Sequence, residues 1–193
     1  SGVASLLARR GLTISPFAIV SPKTVNGADV RVTAFGAHPV VRPLAGGALL
    51  FAGANPIAFS PVANVSFTPL AETGPESWGE SEPGELPWVR DVAREPGGPL
   101  VPAAAIECGA AQADDLAFKP ARAVVVADPA FALNGPLVSR ANANRDFAVN
   151  AVAWLAGIDA AGASSAASDV LVTGMDRDAF VRFAAETILA FPL

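Results

Sequence analysis

His38 and Cys108, the single histidine and single cysteine of the chain, are the two side chains best suited to nucleophilic or acid–base chemistry near neutral pH. A Ser-His-Asp or Cys-His arrangement would have to use His38, because there is no second imidazole. Cys108 lies in Ile106-Glu107-Cys108-Gly109. A reactive thiol needs a neighbouring base and a positive environment, and Glu107 beside it supplies the opposite charge. Free cysteine more often packs as a small hydrophobe, so a structural Cys108 is expected. No GxSxG elbow, Walker loop, HExxH, GxGxxG or CxxC run is present. The expectation is no catalytic residue, no metal site and no cofactor.

The remaining polar candidates fall in two places. His38 and Arg42 occur in Ala37-His38-Pro39-Val40-Val41-Arg42-Pro43, where two prolines hold the backbone in a defined loop. They would anchor a ligand or partner. The competing reading is a loop histidine bonded to backbone carbonyls, and it is favoured because one imidazole carries little evidence. Asp128 stands at the end of an apolar run, with Asn134, Asn144, Arg145 and Asp146 following it. Ligands gather at the carboxyl ends of strands in open α/β sheets. The competing and favoured reading is that these Asn and Asp side chains cap a helix and pin its loop. Asp146 and Asn150 share a helix face. Trp154 is expected in the core.

The elements that must position these groups are legible in outline. Ala4–Arg10 reads as a helix end closed by Gly11, followed by a strand over 17–20. Residues 29–35, 48–52 and 65–70 read as strands, and 102–107 as a weaker one. Residues 73–99 are rich in Pro, Gly and Glu and read as a long surface connection pinned by Trp78 and Trp88. Residues 109–119 read as a polar turn region. Residues 121–127 are a β-branched run typical of a buried strand, residues 134–143 a loop. Asn144 is placed as a helix cap, with Asp146 in the first turn complementing the dipole. Phe147, Ala148, Ala151, Val152, Trp154 and Leu155 form one apolar face, and Gly157 ends the helix. Strand, loop and amphipathic helix make half of a βαβ unit. Residues 159–168 read as a flexible Ala/Gly/Ser linker. Residues 169–193 read as a terminal strand and helix, the helix capped by Asp176.

Bulk composition narrows the classes. The 193 residues suit one domain, 1–158, with an appendage. With 52% hydrophobic and 16% charged residues the chain should fold. A net charge of −5 argues against nucleic acid and against an anionic membrane surface. No apolar run reaches about 18 residues, so none spans a bilayer alone. The Ser1-Gly2 start and the helix end at residue 4 suggest a piece of a larger fold, processed or expressed as a fragment.

Four motifs share a pattern. Val124-Val-Val-Ala-Asp128-Pro-Ala-Phe131-Ala-Leu-Asn134 and Asn144-Arg145-Asp146-Phe147-Ala-Val-Asn150-Ala-Val-Ala-Trp154-Leu155 are the two strongest. His38-Pro39-Val-Val-Arg42-Pro43-Leu44 and Leu70-Ala-Glu-Thr-Gly-Pro75-Glu-Ser-Trp78 precede them in order. Together they resemble the later part of the extracytoplasmic domain of GldG-like ABC-transporter auxiliary proteins, over most of residues 5–157. The resemblance implies an α/β sheet with flanking helices, flavodoxin-like and related to class I glutamine amidotransferases, here incomplete at its N-terminus. It implies a non-catalytic, periplasmic accessory domain, tethered to the cytoplasmic membrane through segments outside this chain. Partners would be the permease and ATPase subunits or other envelope proteins, in some members linked to gliding motility; self-association stays open. Ala130 stands where the family pattern has a second Asp, so a paired-carboxylate role is not carried over. Two alternatives remain: a module binding sugars or cell-envelope fragments, and an amidotransferase-like hydrolase using Cys108 and His38.

Overall fold

A computed structural model describes residues 2–22, 29–109, 112–113, 116–117 and 120–158. The expected linker and the terminal strand and helix lie outside these residues. The architecture is mixed α/β, made mostly of small antiparallel sheets with few helices. Its centre is a four-stranded antiparallel sheet in the order β12 (Ala121–Val126), β9 (Ala103–Cys108), β7 (Val65–Glu72), β4 (Ala34–Phe35). Alanines 103, 104 and 105 of β9 are all buried, because layers press on both faces and small side chains let them approach. β7 carries Pro69, which has no N–H to give a ladder. The β7–β9 register shifts there, between Pro69 and Ala71. Gly36 follows β4 because a Cβ at this position would collide with the Pro69 carbonyl.

Strand alternation sorts the sheet into two faces. On the first face, Ala103, Ala105, Val124 and Val126 join the larger core, with Leu49, Phe51, Phe131, Phe147 and Trp154. On the second, Ala104, Ile106, Cys108, Ala123 and Val125 meet Leu12, Ile57, Phe59 and Phe67. The first face is covered by the hairpin-like pair β3 (Asp29–Val32) and β5 (Leu49–Ala52) and by the helix α3 (Asn144–Leu155). The second is covered by the pair β1 (Leu12–Ile14) and β6 (Ile57–Phe59), with Leu7 of α1 (Gly2–Ala8). The pair β2 (Ala18–Val20) and β8 (Trp78–Glu80) supplies Ile19 to the first core.

Several expectations need correction. The run 29–35 is two strands: β3 pairs β5 and β4 pairs β7, so the chain changes sheet at Thr33. The β-branched strand β12 is not deeply buried. It lies at one end of the central sheet, with Ala121 and Arg122 exposed and the next four residues half-buried. The stretch 134–143 holds a short helix, α2 (Asn134–Val138). Two short strands, β10 (Gln112–Ala113) and β11 (Leu116–Ala117), pair inside the expected turn region.

The 73–99 connection is more ordered than its composition suggests. Its base is closed by bonds from Leu100 N–H to the Thr73 hydroxyl, from Gly98 N–H to the Ser77 carbonyl and from Gly79 N–H to the Pro96 carbonyl. Trp78 lies in β8 and is joined to the body, as expected. Trp88 is not: its indole N–H donates to the Pro83 carbonyl within the loop. The organiser is Glu95, a buried carboxylate that accepts from the Ser81 N–H and hydroxyl and from the Asp91 N–H. Those Ser81 bonds foremost, against the upward push of burial, hold its pKa at about 2. A depressed carboxylate contributes stability that is present above its ordinary value of 4.5 and lost as pH falls toward 2. Glu95→Gln turns an amide N–H₂ toward the same donors. Tryptic cleavage at Arg90 and Arg94 in this variant is expected to run about tenfold faster at neutral pH, as local opening becomes easier. An unchanged rate would mean that Glu95 does not hold the loop.

Candidate functional site

Two of the polar residues singled out by sequence, Asp128 and Asn144, meet at one place, the outer edge of β5. In an antiparallel strand alternate residues turn their backbone groups to alternate sides. Leu50 and Ala52 turn theirs away from β3. Such an edge needs partners when it is covered. Asn144 supplies two of them: its Oδ1 accepts from Leu50 N–H at 2.9 Å and its Nδ2 donates to the Leu50 carbonyl at 2.8 Å. The same Nδ2 lies 3.4 Å from the Phe131 carbonyl. Asp128 supplies the next, with Oδ2 accepting from Ala52 N–H at 2.7 Å. Backbone bonds continue the row at either end, from Ala143 N–H to the Ala48 carbonyl and from Asn55 N–H to the Ala127 carbonyl. Two side chains thus do the work of a missing strand.

Asn144 therefore corrects the capping expectation. It is the first residue of α3, not its cap, and its amide makes no cap bond. Asn142 instead accepts the Asn144 N–H through Oδ1. Asp128 uses its other oxygen to accept from Ala130 N–H at 2.8 Å, which tightens the turn after β12. Burial pushes the Asp128 carboxyl above its ordinary value, opposed by the N–H groups of Ala52, Ala130 and Phe131; the charge of Asp29 adds to the rise.

The His38 loop is fastened to the same helix. Asn150, fully buried on α3, donates from Nδ2 to the Val40 carbonyl at 3.0 Å. His38 is buried, and its Nδ1 accepts from Val40 N–H at 3.3 Å. Its ring meets Trp154 edge-on, with centroids 4.6 Å apart. The Arg122 guanidinium of β12 lies over the Trp154 ring, 4.8 Å from its centroid, and donates to the Trp154 carbonyl and to Glu107. Beneath lies an aromatic row, Phe51–Phe131–Phe147, with centroid spacings of 5.1 and 5.2 Å. Asp146 sits in the first turn of α3 as expected. Asn134, Arg145, Asp146 and Arg42 are exposed and do not join the cluster's buried part. Val152 and Leu155, expected on the buried face of α3, are 55% and 44% exposed; Asn144 and Asn150 hold buried positions instead.

Burial lowers the His38 pKa below its ordinary 6.5, opposed by Glu107 and aided by Arg122 and Arg42. A depressed imidazole contributes stability that is complete above 6.5 and lost as pH falls through the folded-state value. The melting temperature is expected to decline as pH drops below 6.5. His38→Asn keeps an acceptor near the Nδ1 position and removes the titration, so its decline over that range should be shallower. Equal slopes for both proteins would show that His38 charging is not coupled to unfolding.

Cys108 and His38 do not meet. Cys108 packs in the second-face core, whereas His38 touches Trp154 of the first-face core, and the sheet lies between. Every buried side-chain nitrogen and oxygen among the described residues has a hydrogen-bond partner. No group of three or more His, Cys, Asp or Glu suited to a metal occurs among them. Two open depressions, of about 590 Å³ beside Phe17 and Pro96 and about 450 Å³ beside Asn64 and Glu107, lie elsewhere; neither is lined by Asp128, Asn144, Arg145 or Asp146. No family model, curated protein or solved structure matches this chain. No helix among the described residues is long and apolar enough to cross a membrane.

Sequence reading missed three contributors: Arg122, Glu107 and the aromatic row. Arg122 and Glu107 are register partners across β12 and β9, a relation visible only once the strands are paired. Phe131 and Phe147 were present in the motifs, but Phe51 sits in an apolar run with nothing to mark it.

Proposed function

We propose that the chain is a non-catalytic accessory domain of an ABC-type transport system, extracytoplasmic and related to GldG-like auxiliary proteins. One observation carries the reading. Three of the motifs, distant in sequence, each send residues into one buried clamp: His38 and Val40 from the first, Asp128 from the second, and Asn144, Asn150 and Trp154 from the third. Residues that a family pattern shares for folding would be expected to behave this way. The flavodoxin-like, amidotransferase-like form of the fold is part of the proposal; the strands described here pair antiparallel, and further parallel strands would have to join from chain outside them.

The clamp's chemistry supports scaffolding over catalysis. Asp128, Asn144 and Asn150 spend their polar atoms on backbone groups, and Cys108 faces away from His38. The same facts weigh against a sugar-binding site at the strand end. The exposed side chains Arg42, Asn134, Arg145 and Asp146 are left for a partner surface.

The test is affinity capture of the full-length protein from native membranes under mild detergent, read by mass spectrometry. Stoichiometric recovery of an ABC ATPase and permease is the expected result. Capture that reproducibly contains neither, with no such genes beside its own, removes the proposal.

A further inference from the structure

We infer that the loop over residues 82–92 is a docking knuckle for a partner protein that presents an apolar groove rimmed by basic side chains. This rests on the accessory-domain reading and names its contact surface. Leu86, Val89 and Val92 are 75%, 77% and 75% exposed, on one loop. Among the described residues Val138 of α2 is the one other large apolar side chain as exposed, at 76%, and it stands without neighbours of its kind at that level; Val3, Leu6, Leu133, Val152, Leu155 and Ile158 range from 43% to 60%. Apolar side chains grouped in water mark interaction surfaces more often than chance exposure does.

The loop also holds its shape without a partner. Arg90 donates twice to the Glu95 carbonyl, at 3.3 and 3.0 Å. Trp88 bonds to Pro83, Glu85 N–H to the Glu82 carbonyl, and Ala93 N–H to the Asp91 carboxylate. Glu95 ties both ends of the segment to each other through Ser81 and Asp91. A knuckle ordered before contact loses less entropy on binding, which is the arrangement expected of a recognition element.

Charge selects the occupant. Glu82, Glu85 and Asp91 are exposed on this loop, and although Arg90 and the exposed Arg94 carry positive charge, carboxylates outnumber them in the segment 80–95, where Glu80 and Glu95 add to the acidic side. An acidic rim fits a basic one and steers its approach. It repels an anionic bilayer, and in a second copy it would meet its own sign.

The test places p-benzoylphenylalanine at Val89 in the full-length protein in its own cells, with Val138, 76% exposed on α2, as the control position. The expected result is a light-dependent adduct at position 89, absent at 138, with a protein of different sequence whose crosslinked peptide carries apolar and basic residues. Binding of that partner, purified, should weaken at least about tenfold in Leu86→Glu or Val89→Glu. Neither substitution alters a buried group, and unchanged melting curves confirm that both variants fold. Glu95→Gln should weaken binding several-fold while leaving every apolar side chain in place. Raised salt should weaken it further. An adduct with a second copy, an adduct with lipid, no adduct, or equal adducts at both positions overturns the inference. The partner's identity separates the two proposals. A basic-grooved partner outside any ABC system keeps the knuckle and removes the transporter reading. Permease adducts at 138 and none at 89 do the reverse.

Discussion

Asn144→Leu is expected to lower the unfolding free energy by about 3–5 kcal/mol, because it strands the N–H and carbonyl of Leu50 in a covered edge at about 1–3 kcal/mol each and forces a branched apolar group into their place. The side chain is fully buried and its donors and acceptors are matched on both sides. Urea unfolding should show a lower midpoint with an unchanged slope. Asn144→Asp discriminates the mechanism. It keeps the acceptor for Leu50 N–H but turns a second acceptor toward the Leu50 carbonyl, so it should be at least as damaging as leucine. Asn134→Ala, at an exposed position with the same residue type, should stay within about 0.5 kcal/mol. A near-neutral Asn144→Leu would show that β5 does not depend on this side chain for its outer edge.

The second large effect is expected at Trp154. Trp154→Ala removes the largest side chain of α3 from the point where the His38 loop, β12 and the helix meet, and should cost about 3–5 kcal/mol. The Arg122 bond to the Trp154 carbonyl is to the backbone and survives the change. The loss therefore reports packing and the two ring contacts. Combining Trp154→Phe with His38→Asn in a double-mutant cycle isolates the edge-on pair, whose coupling should be about 0.5–1.5 kcal/mol. Strict additivity would mean that the two rings adjoin without stabilising each other.

Much of the local structure was legible. A short apolar run marked β5 and alternation marked β7, each within a residue or two, and Gly157, at φ 74°, stopped α3 where a helix-ending glycine was expected. Asp146 in the first turn of α3 and the join of Trp78 to the body followed from dipole and composition arguments. The site was harder. Asn144 looked like a cap because Asn at a helix start usually is one. Only the presence of an unpaired strand edge nearby gives it a better use, and that edge belongs to a residue 94 positions away. The α3 face was misjudged for a related reason. Hydrophobicity placed Val152 and Leu155 inside, whereas the buried stripe runs through Asn144, Phe147, Asn150, Ala151 and Trp154, two of them polar.

Composition and periodicity by themselves determined that this chain folds, where several strands and its main helix lie, and that a polar cluster gathers after β12. These are short-range properties, set by the alternation of side chains and by dihedral preferences along a few residues. Tertiary structure alone decided that the strands pair antiparallel, that β12 lies at a sheet end, that Cys108 and His38 fall on opposite faces, and that Asp128 and Asn144 stand in for a strand. Hydrophobic pattern encodes which side of an element is dry. It does not encode which backbone edge lacks a neighbour, and that edge chose the use of the polar side chains.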